Sequence, residues 1–543
     1  MSHAEDDTPR DEGGETISGN NIEAATTPGH ARRSGHRHRW LPAFAILALA
    51  AIAIGLVQQN DDLLRTELVK RVLVVVITTA VALTVWFWYF AGFTRRTRWK
   101  AVGAVLATLA VLTALIRVDG LSGDLTPVWA FRWTRRAGIG VPAPVARDHR
   151  AASPEMTSTS DDWPQFLGPN RNGALDDPQL NRNWHEHPPR ETWRINIGAG
   201  WSSFAVVGQS AFTQEQRDQD ELTSCYDMAT GAAAWTHADE ARFSDFVAGD
   251  GPRATPTVHQ GRVYAYGATG ILNCLDASSG ELIWTRNVYD ESTDSLPRWG
   301  NSCSPLIDGS RVIVTAGGGD GGGALIAFDQ LTGDIVWSGG DDGPSYSSPV
   351  MATLAGVRQI LIVGATHLTG HDPETGAVLW RQPWHPEHPN VSQAVPLNGD
   401  RVFLSAGYGQ GCAVFQLASG RDGWSVHELW ANLGLKTKFT NVVVRRGHVF
   451  GLDGGILACL DAETGQQRWK AGRYGHGQII LVGDVILVLA ESGSVHLVEA
   501  NPERHLELGR LDAFDSKTWN CPVLSGRRLL VRNDREAACY LLP

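Results

Sequence analysis

The sequence predicts an all-β fold, an eight-bladed β-propeller of four-stranded antiparallel blades, preceded by an N-terminal region of three transmembrane helices. A short phrase recurs through the second half of the chain, helix-period stretches are absent after residue 120, and three charge-free apolar runs come before it. The chain of 543 residues is long enough for both parts. Its net charge of -11 is the wrong sign for a phosphate backbone, so we expect no nucleic-acid partner.

The recurring phrase is Asp, two residues, Thr or Ser, Gly, three residues, Trp. It occurs five times, and the steps between successive Asp residues are 49, 53, 43 and 89, the last being two periods. Degenerate copies lie around Gln416, ending at Trp430, and around Glu499. The structural repeat residues are Asp227, Gly231, Trp235, Asp276, Gly280, Trp284, Asp329, Gly333, Trp337, Asp372, Gly376, Trp380, Asp461, Gly465 and Trp469.

The second copy shows the unit most clearly. Four short β-rich runs lie within residues 255–286, and turn-forming residues separate them. In the last turn Asp276 can bond its own backbone, and Gly280 can supply a positive φ. A period of roughly 40–50 residues with four strands is typical of propeller blades.

Eight inner strands can be counted, and their expected starts are Ser202, Thr255, Ser304, Ser348, Gln393, Thr440, Gly477 and Asn520. The last copy, Cys521–Leu542, has only three strands. The segment Glu191–Gly198, with Trp193 as its Trp, can supply the fourth. Because joining the chain ends in one blade removes two exposed sheet edges, the sequence predicts a closed ring of eight blades.

The N-terminal region is predicted to anchor the chain. Residues 1–39 are polar and are expected to be a disordered cytoplasmic segment, and residues 40–117 hold the apolar runs 41–57, 72–92 and 101–116. The segments flanking the apolar runs carry eight Lys and Arg residues on the side of the membrane that holds the N-terminus, against four on the other side. This difference favours an N-terminus inside and the propeller outside the cytoplasmic membrane. Membrane lipid is therefore an expected partner. Residues 118–160 read as a linker and 161–543 as the propeller.

The repeat resembles the PQQ-like β-propeller repeat of the quinoprotein dehydrogenase superfamily, for which Asp-x-x-Thr-Gly-x-x-x-Trp is the hallmark. The opening Asp162-Trp-Pro-Gln-Phe-Leu-Gly-Pro-Asn-Arg-Asn-Gly173 resembles the leading segment of a large bacterial group of PQQ-like repeat proteins. The resemblance covers 381 residues, Trp163 to Pro543. It implies that each repeat Trp packs between neighbouring blades, and it leaves function open because catalytic and scaffolding proteins share the repeat.

The seven cysteines are too few for a disulfide scaffold. Cys225, Cys274 and Cys459 each come two residues before a repeat Asp, and Cys539 takes the equivalent position in the closing blade. A recurring small apolar position predicts buried thiols rather than ligands or nucleophiles. No partner can be assigned to Cys303, Cys412 and Cys521.

The central channel is the predicted ligand site, because the first strand of each blade lines it. Convergent cationic and amide groups beside aromatic faces could hold an anionic planar ligand. The alternative is that these groups bond one another and water. The candidate ligand-binding residues, at or just before the inner-strand starts, are Trp201, Arg253, Trp299, Asn301, Tyr346, Gln393, Lys438, His476, Trp519 and Asn520. No catalytic residue and no metal site are predicted.

Three functions were compared. A PQQ-dependent dehydrogenase that oxidises an alcohol or sugar would need PQQ, Ca²⁺ and an Asp base, and the resemblance maps neither the ligands nor the base onto this sequence. An outer-membrane assembly lipoprotein of the same fold would need a lipid-bearing Cys, and none follows any apolar run. The remaining hypothesis is a membrane-tethered, non-catalytic propeller that presents its face to a protein or polysaccharide partner.

Overall fold

The computed structural model describes residues 40–58, 65–134, 159–176, 180–290, 296–318, 323–384 and 389–543. The residues predicted to form the N-terminal segment, 1–39, lie outside this part of the chain. The hairpin and the propeller described below belong to one compact unit, which includes Gly103–Pro543.

Within the described residues, three helices precede the β-structure: α1 (Leu41–Gln58), α2 (Arg65–Tyr89) and α3 (Arg95–Leu115). Two of them, over Glu67–Tyr89 and Arg95–Leu115, are long and apolar enough to cross a membrane, whereas Leu41–Val57 is shorter. The expectation of three spanning helices is therefore corrected to two candidates of full length. The apolar run 101–116 is the second part of a longer helix that begins in the basic residues from Arg95.

A two-stranded antiparallel hairpin follows α3 without any intervening residue. Its strands are Ile116–Leu121 and Pro127–Phe131, and Ile116 pairs with Phe131. The sequence predicted a linker from residue 118, so the structure differs there. The rest of that predicted linker, residues 135–158, lies outside the described residues.

In the described part of the chain eight sheets follow, numbered as blades 1 to 8. Seven are four-stranded and antiparallel, and blade 7 has four antiparallel strands and a fifth, Ala174–Leu175, which pairs in parallel with Gln478–Val482. Blade 1 contains Ala205–Val207, Ser210–Arg217, Asp220–Asp227 and Ala233–Asp239; blade 2 contains Thr257–His259, Arg262–Tyr266, Ile271–Asp276 and Leu282–Asn287; blade 3 contains Leu306–Asp308, Arg311–Thr315, Leu325–Asp329 and Ile335–Gly339; blade 4 contains Val350–Leu354, Val357–Val363, His367–His371 and Val378–Pro383. Blade 5 contains Val395–Leu397, Arg401–Ala406, Gly411–Gly420 and Gly423–Asn432; blade 6 contains Val443–Arg445, His448–Asp453, Ile456–Asp461 and Gln467–Arg473; blade 7 contains Gln478–Val482, Val485–Leu489, Ser494–Glu499 and Glu507–Asp512; blade 8 contains Val523–Ser525, Arg528–Arg532, Glu536–Leu541 and Arg190–Asn196. The eight-bladed propeller predicted from the repeat is confirmed.

The repeat residues join neighbouring blades, as blade 2 illustrates. Asp276 accepts hydrogen bonds from the amides of Ser278 and Ser279, and Gly280 has φ +76°. The Trp235 ring of blade 1 lies against Gly280, so closely that a Cβ there would come within 2.5 Å of it. Trp235 Nε1 also donates to the carbonyl of Ala277, the residue after the Asp, at 3.0 Å. Turn, glycine and indole therefore form one inter-blade joint.

The same joint recurs around the ring. In each case the indole donates to the carbonyl that follows the repeat Asp of the next blade, at 3.0–3.2 Å: Trp193 to Met228, Trp284 to Gln330, Trp337 to Pro373 and Trp430 to Ala462. Trp380 departs from this pattern and donates to Gln359 Oε1 of its own blade, 2.5 Å away. The reason is that blade 5 replaces the Asp turn with the long hairpin Gly411–Asn432.

The ring closes as the sequence predicted. Arg190–Asn196 pairs with Glu536–Leu541, which places Trp193 opposite Cys539. Arg532 of blade 8 is fully buried and donates to Thr213 Oγ1 at 2.7 Å and to the Gln214 carbonyl at 2.9 Å, both in blade 1. Burial lowers the pKa of Arg532 to about 10.

Near the channel axis, hydroxyl groups link consecutive inner strands. The amide of Ser203 donates to Thr255 Oγ1, the amide of Thr255 to Ser304 Oγ, and the amide of Ser304 to Ser348 Oγ, at 2.9–3.2 Å. All four residues are buried. The channel wall is thus held together by short polar side chains at equivalent positions of successive blades.

Candidate functional site

The candidate site is the end of the channel at which the inner strands start. We call it the channel mouth and define it by Trp201, Lys438, His476, Lys517 and Trp519, which precede the inner strands of blades 1, 6, 7 and 8. Four of these five residues were predicted from the sequence. Their side chains lie close together, as the following contacts show.

Aromatic rings form a continuous row across the mouth. The Trp201 and Trp519 ring centroids are 4.8 Å apart, and Phe439 lies 5.2 Å from Trp519 and 5.5 Å from His476. Trp519 Nε1 donates to Glu491 Oε1 at 2.9 Å, which fixes the tilt of the indole. The row joins blades 1, 8, 6 and 7.

Two lysines lie on this aromatic row. Lys517 Nζ is 4.2 Å from the centroid of Trp519 and 4.9 Å from that of Trp201, and Lys438 Nζ is 5.2 Å from that of Phe439. These are cation–π distances. Burial lowers the pKa of both lysines below their usual value. The mouth is therefore a partly desolvated cationic and aromatic surface.

The hairpin between α3 and the propeller covers this surface. At its tip the amide of Gly123 donates to Glu491 Oε1 at 2.6 Å, and the Gly123 carbonyl accepts from Lys438 Nζ. Lys517 Nζ donates to the carbonyl of Leu121 at 3.3 Å. The cationic groups that would meet a ligand are thus bonded to the protein's own backbone.

Two carboxylates of the hairpin complete the contact. Asp124 Oδ1 lies 3.0 Å from His476 Nε2, and Asp119 Oδ2 lies 2.6 Å from the Arg535 guanidinium. The Asp119 side chain is 14 % exposed and that of Arg535 32 %, so this pair is partly shielded from solvent. Charge complementarity therefore adds to the backbone contacts.

Several predicted ligand residues serve the scaffold instead. Asn301 Nδ2 donates to the Gly267 carbonyl, and Asn520 Nδ2 to that of Ser202, at 3.2 and 2.8 Å. Arg253 donates to the carbonyls of Ala248, Gly249 and Gly251 and stacks on Phe243. For these three residues the predicted alternative, bonding within the protein, describes the structure.

Trp299 and Tyr346 form a separate pair beside blades 3 and 4. Their ring centroids are 5.5 Å apart, and the Tyr346 hydroxyl accepts from the Trp299 amide at 3.2 Å. Trp299 Nε1 is buried without a hydrogen-bond partner within the described chain.

Gln393 lies away from the mouth, in a cavity of about 170 Å³ between the leading segment and blades 4 to 6. Its side chain donates to the Ser348 carbonyl, and its amide donates to Asn441 Oδ1 at 2.7 Å. Arg171 lines the same cavity and donates to the carbonyls of Ser304 and Pro305. The ten predicted residues therefore do not form one site.

Sequence reasoning missed Lys517, Glu491 and the hairpin tip. Lys517 is two residues before Trp519, so a slightly wider window before each inner strand would have included it. Glu491 lies in the turn between the second and third strands of blade 7, where the repeat gave no signal.

The mouth does not fit PQQ with a divalent cation. Glu491 already accepts from the Trp519 indole and from the amides of Gly123 and His476. The other carboxylates at the mouth pair with His476 and Arg535. Neither the acidic nor the cationic groups of this covered surface are arranged to hold the cofactor pair, and no reaction step is derived through it.

Comparisons with known proteins place these observations in a class. Residues 219–471 match the PQQ_2 family, described as outer membrane protein assembly factor BamB. BamB of Shewanella oneidensis is 25% identical over 193 residues, covering 35% of this chain and 47% of that protein. Quinohemoprotein alcohol dehydrogenase ADH-IIG of Pseudomonas putida is 28% identical over 187 residues, covering 32% and 25%. The matched segments thus span about half or less of these relatives.

Among solved structures, quinohemoprotein alcohol dehydrogenase ADHIIG from Pseudomonas putida HK5 superposes with a TM-score of 0.52 at 12% identity. The match covers 70% of this chain and 80% of that one, and it shows the fold alone. The blades, the repeat and these matches together define a propeller of PQQ-like repeats. The chain is a PQQ-like β-propeller protein, similar over part of its length both to BamB and to quinohemoprotein alcohol dehydrogenases.

Proposed function

We propose that the chain is a membrane-tethered, non-catalytic propeller that binds or scaffolds a partner outside the cytoplasmic membrane. The observation that carries this proposal is the hairpin tip on the channel mouth, bonded to Lys438, Lys517 and Glu491. Those groups hold a segment of polypeptide, which is the behaviour of a protein-recognition surface.

The tether is supported by the exposed apolar surface of the helices. The side chains of α3 include no buried residue, and the apolar window of α2 is 6% buried. Trp129, Phe131 and Trp133 of the hairpin region are also exposed, beyond the end of α3. Exposed aromatic residues next to an apolar helix are typical of a membrane–water interface.

The side of the membrane follows from the start of α3. Arg95, Arg96, Arg98 and Lys100 lie there, whereas Arg117 is the nearest basic residue beyond its end. Basic residues favour the cytoplasmic side, so we place the propeller outside. We propose that α1 also crosses, which would make the anchor multi-pass with its N-terminus inside.

For the partner we favour a protein. The relatives named as BamB are outer membrane protein assembly factors, and propellers without catalytic residues serve as interaction platforms. The alternative, a PQQ-dependent dehydrogenase acting on an alcohol or sugar, is favoured by the match to ADH-IIG. It is disfavoured by the covered mouth, where Lys438 and Glu491 are already bonded.

One preparation tests placement and catalysis together. Intact spheroplasts that carry the full chain are treated with protease, or with PQQ, Ca²⁺, an electron-accepting dye and a panel of alcohols and sugars. We expect the protease to remove the propeller, and dye reduction to equal that of matched spheroplasts without the chain. Protection from protease would refute the placement, and chain-dependent dye reduction would refute the non-catalytic role.

A further inference from the structure

We propose that the channel mouth is a recognition site for an acidic, glycine-containing turn from a partner protein, and that Asp119–Asp124 occupies it in cis. This inference rests on the proposed binding role and deepens it. The segment reads Asp-Gly-Leu-Ser-Gly-Asp, and both its backbone and its carboxylates contact the mouth.

The centre of the site is specific for glycine. A Cβ on Gly123 would lie 2.2 Å from Cδ2 of His476 and 2.8 Å from its Cβ, so the imidazole has no room for a side chain there. On either side of this closest approach, the Gly123 amide meets Glu491 and its carbonyl meets Lys438. The mouth thus recognises this residue by its amide, its carbonyl and the absence of a side chain.

The flanks of the site are specific for negative charge. Asp119 and Asp124 are four residues before and one residue after Gly123, and they meet Arg535 and His476. Lys517 adds a cationic group, bonded to the Leu121 carbonyl between them. A turn with carboxylates at these two positions would make the same contacts from another chain.

The hairpin that occupies the mouth can be displaced by a turn from another chain. It is a two-stranded hairpin, and an isolated hairpin of this kind is marginally stable in water. Its strand pairing runs from Ile116↔Phe131 to Leu121↔Pro127, and Gly123 and Asp124 lie in the turn beyond it, where they meet Glu491, Lys438 and His476. Release of the tip would expose Lys438 and Lys517 to water, which removes the desolvation that lowers their pKa.

A tethered segment competes strongly with a free one. Short connections give effective concentrations on the order of millimolar. A partner turn must therefore displace the cis tip. A change that weakens only the contacts between the tip and the mouth should raise the apparent affinity of the mouth for a free turn. This is a measurable consequence of cis occupancy.

The test uses the full chain in detergent and a fluorescein-labelled peptide of residues 117–130 in a fluorescence anisotropy titration. Gly123→Val in the chain unseats the tip without altering the propeller, and Gly123 has no positive φ that would oppose the change. Gly420→Ala is the matched control, because a Cβ there meets nothing within 4 Å. We expect Gly123→Val to bind the peptide roughly tenfold or more tightly than the wild type or the control.

Adding Lys438→Met to Gly123→Val should reverse that gain, with far-UV circular dichroism showing that the blades remain folded. A scrambled peptide of the same composition should bind at least about tenfold more weakly if the turn is recognised rather than charge alone. The inference would be overturned if Gly123→Val bound the peptide no more tightly than the wild type and the control. It would also be overturned if the double variant bound it as tightly as Gly123→Val, or if the scrambled peptide bound as tightly as the original one. None of these outcomes bears on the spheroplast test, so the proposed function can fail or stand separately.

Discussion

At the residue scale, the repeat phrase specifies contacts between blades. Its Gly has two roles: it adopts a positive φ in the Asp turn, and its lack of a side chain leaves space for the Trp ring of the preceding blade. Gly333 beside Trp284 and Gly376 beside Trp337 repeat the geometry of Gly280. The turn pattern predicted the positive φ of this Gly, and the resemblance to the PQQ-like repeat implied that the Trp packs between blades, but the contact between Gly and Trp was not predicted.

Replacement of Gly280 by Ala should destabilise the propeller by about 2–4 kcal/mol, since the new Cβ combines a left-handed backbone cost with overpacking against Trp235. The measurement is the denaturation midpoint of the full chain in detergent. Gly420→Ala, at an open position without positive φ, is the control and should leave the midpoint nearly unchanged. Equal midpoints for the two variants would contradict the joint described here.

The cysteines show where residue-level prediction stops. All seven are free and buried, as expected for the four at recurring positions. Burial raises the pKa of Cys521 to about 12, and Cys303 Sγ accepts the Thr315 amide at 3.3 Å. Cys303 and Cys521 occupy no recurring repeat position, and their surroundings come from neighbouring blades, so they could not be placed from the sequence.

At the element scale, the blades were predictable and the hairpin was not. Each blade carries a local four-strand pattern, whereas the hairpin tip depends on contacts such as Gly123 to Glu491, 368 residues apart. Its composition resembles a linker, and nothing in residues 116–131 alone identifies the mouth as its binding surface. The same reason explains why Glu491 was missed, since its contact with Gly123 joins segments far apart in the sequence.

Glu215, buried in blade 1 and influenced by the charge of Arg532 of blade 8, gives a prediction about acid. Burial alone would raise the pKa of Glu215, but the charge of Arg217 and hydrogen bonds from Ser224 and Tyr226 outweigh it and hold the pKa below its usual value. A carboxylate with a lowered pKa stabilises the fold above its unfolded pKa of about 4.3, and that stability is lost as the pH falls. Glu215→Gln should therefore destabilise the chain by about 3 kcal/mol at neutral pH and by less in acid.

Denaturation midpoints at pH 7 and pH 3 check this expectation. Glu374→Gln is the comparison, since Glu374 pairs with Arg311 at an exposed position and should have a much smaller effect. The role assigned to Glu215 would be contradicted if the Glu215→Gln variant were as stable as the wild type at pH 7. It would also be contradicted if the loss of stability grew as the pH fell.

At the scale of the whole molecule, ring closure and blade number followed from counting strands and from the fourth strand at Arg190–Asn196. The number of full-length spanning helices did not, because α1 is shorter than the other two candidates. Nor could the sequence show that the channel mouth is covered, since that requires the hairpin and four blades to meet. The covered mouth is what separates this propeller from one with an open ligand site.

Hydrogen exchange on the full chain in detergent, followed by mass spectrometry, tests the covered mouth most directly. Amides in residues 119–126 should exchange more slowly than those of an unstructured chain, though faster than those of the blade strands, because Gly123 N–H is bonded to Glu491 and Ser122 N–H to the Thr126 carbonyl. Gly123→Val should abolish this protection while leaving the blades unchanged. Exchange of residues 119–126 in the wild type at the rate of an unstructured chain would contradict the account.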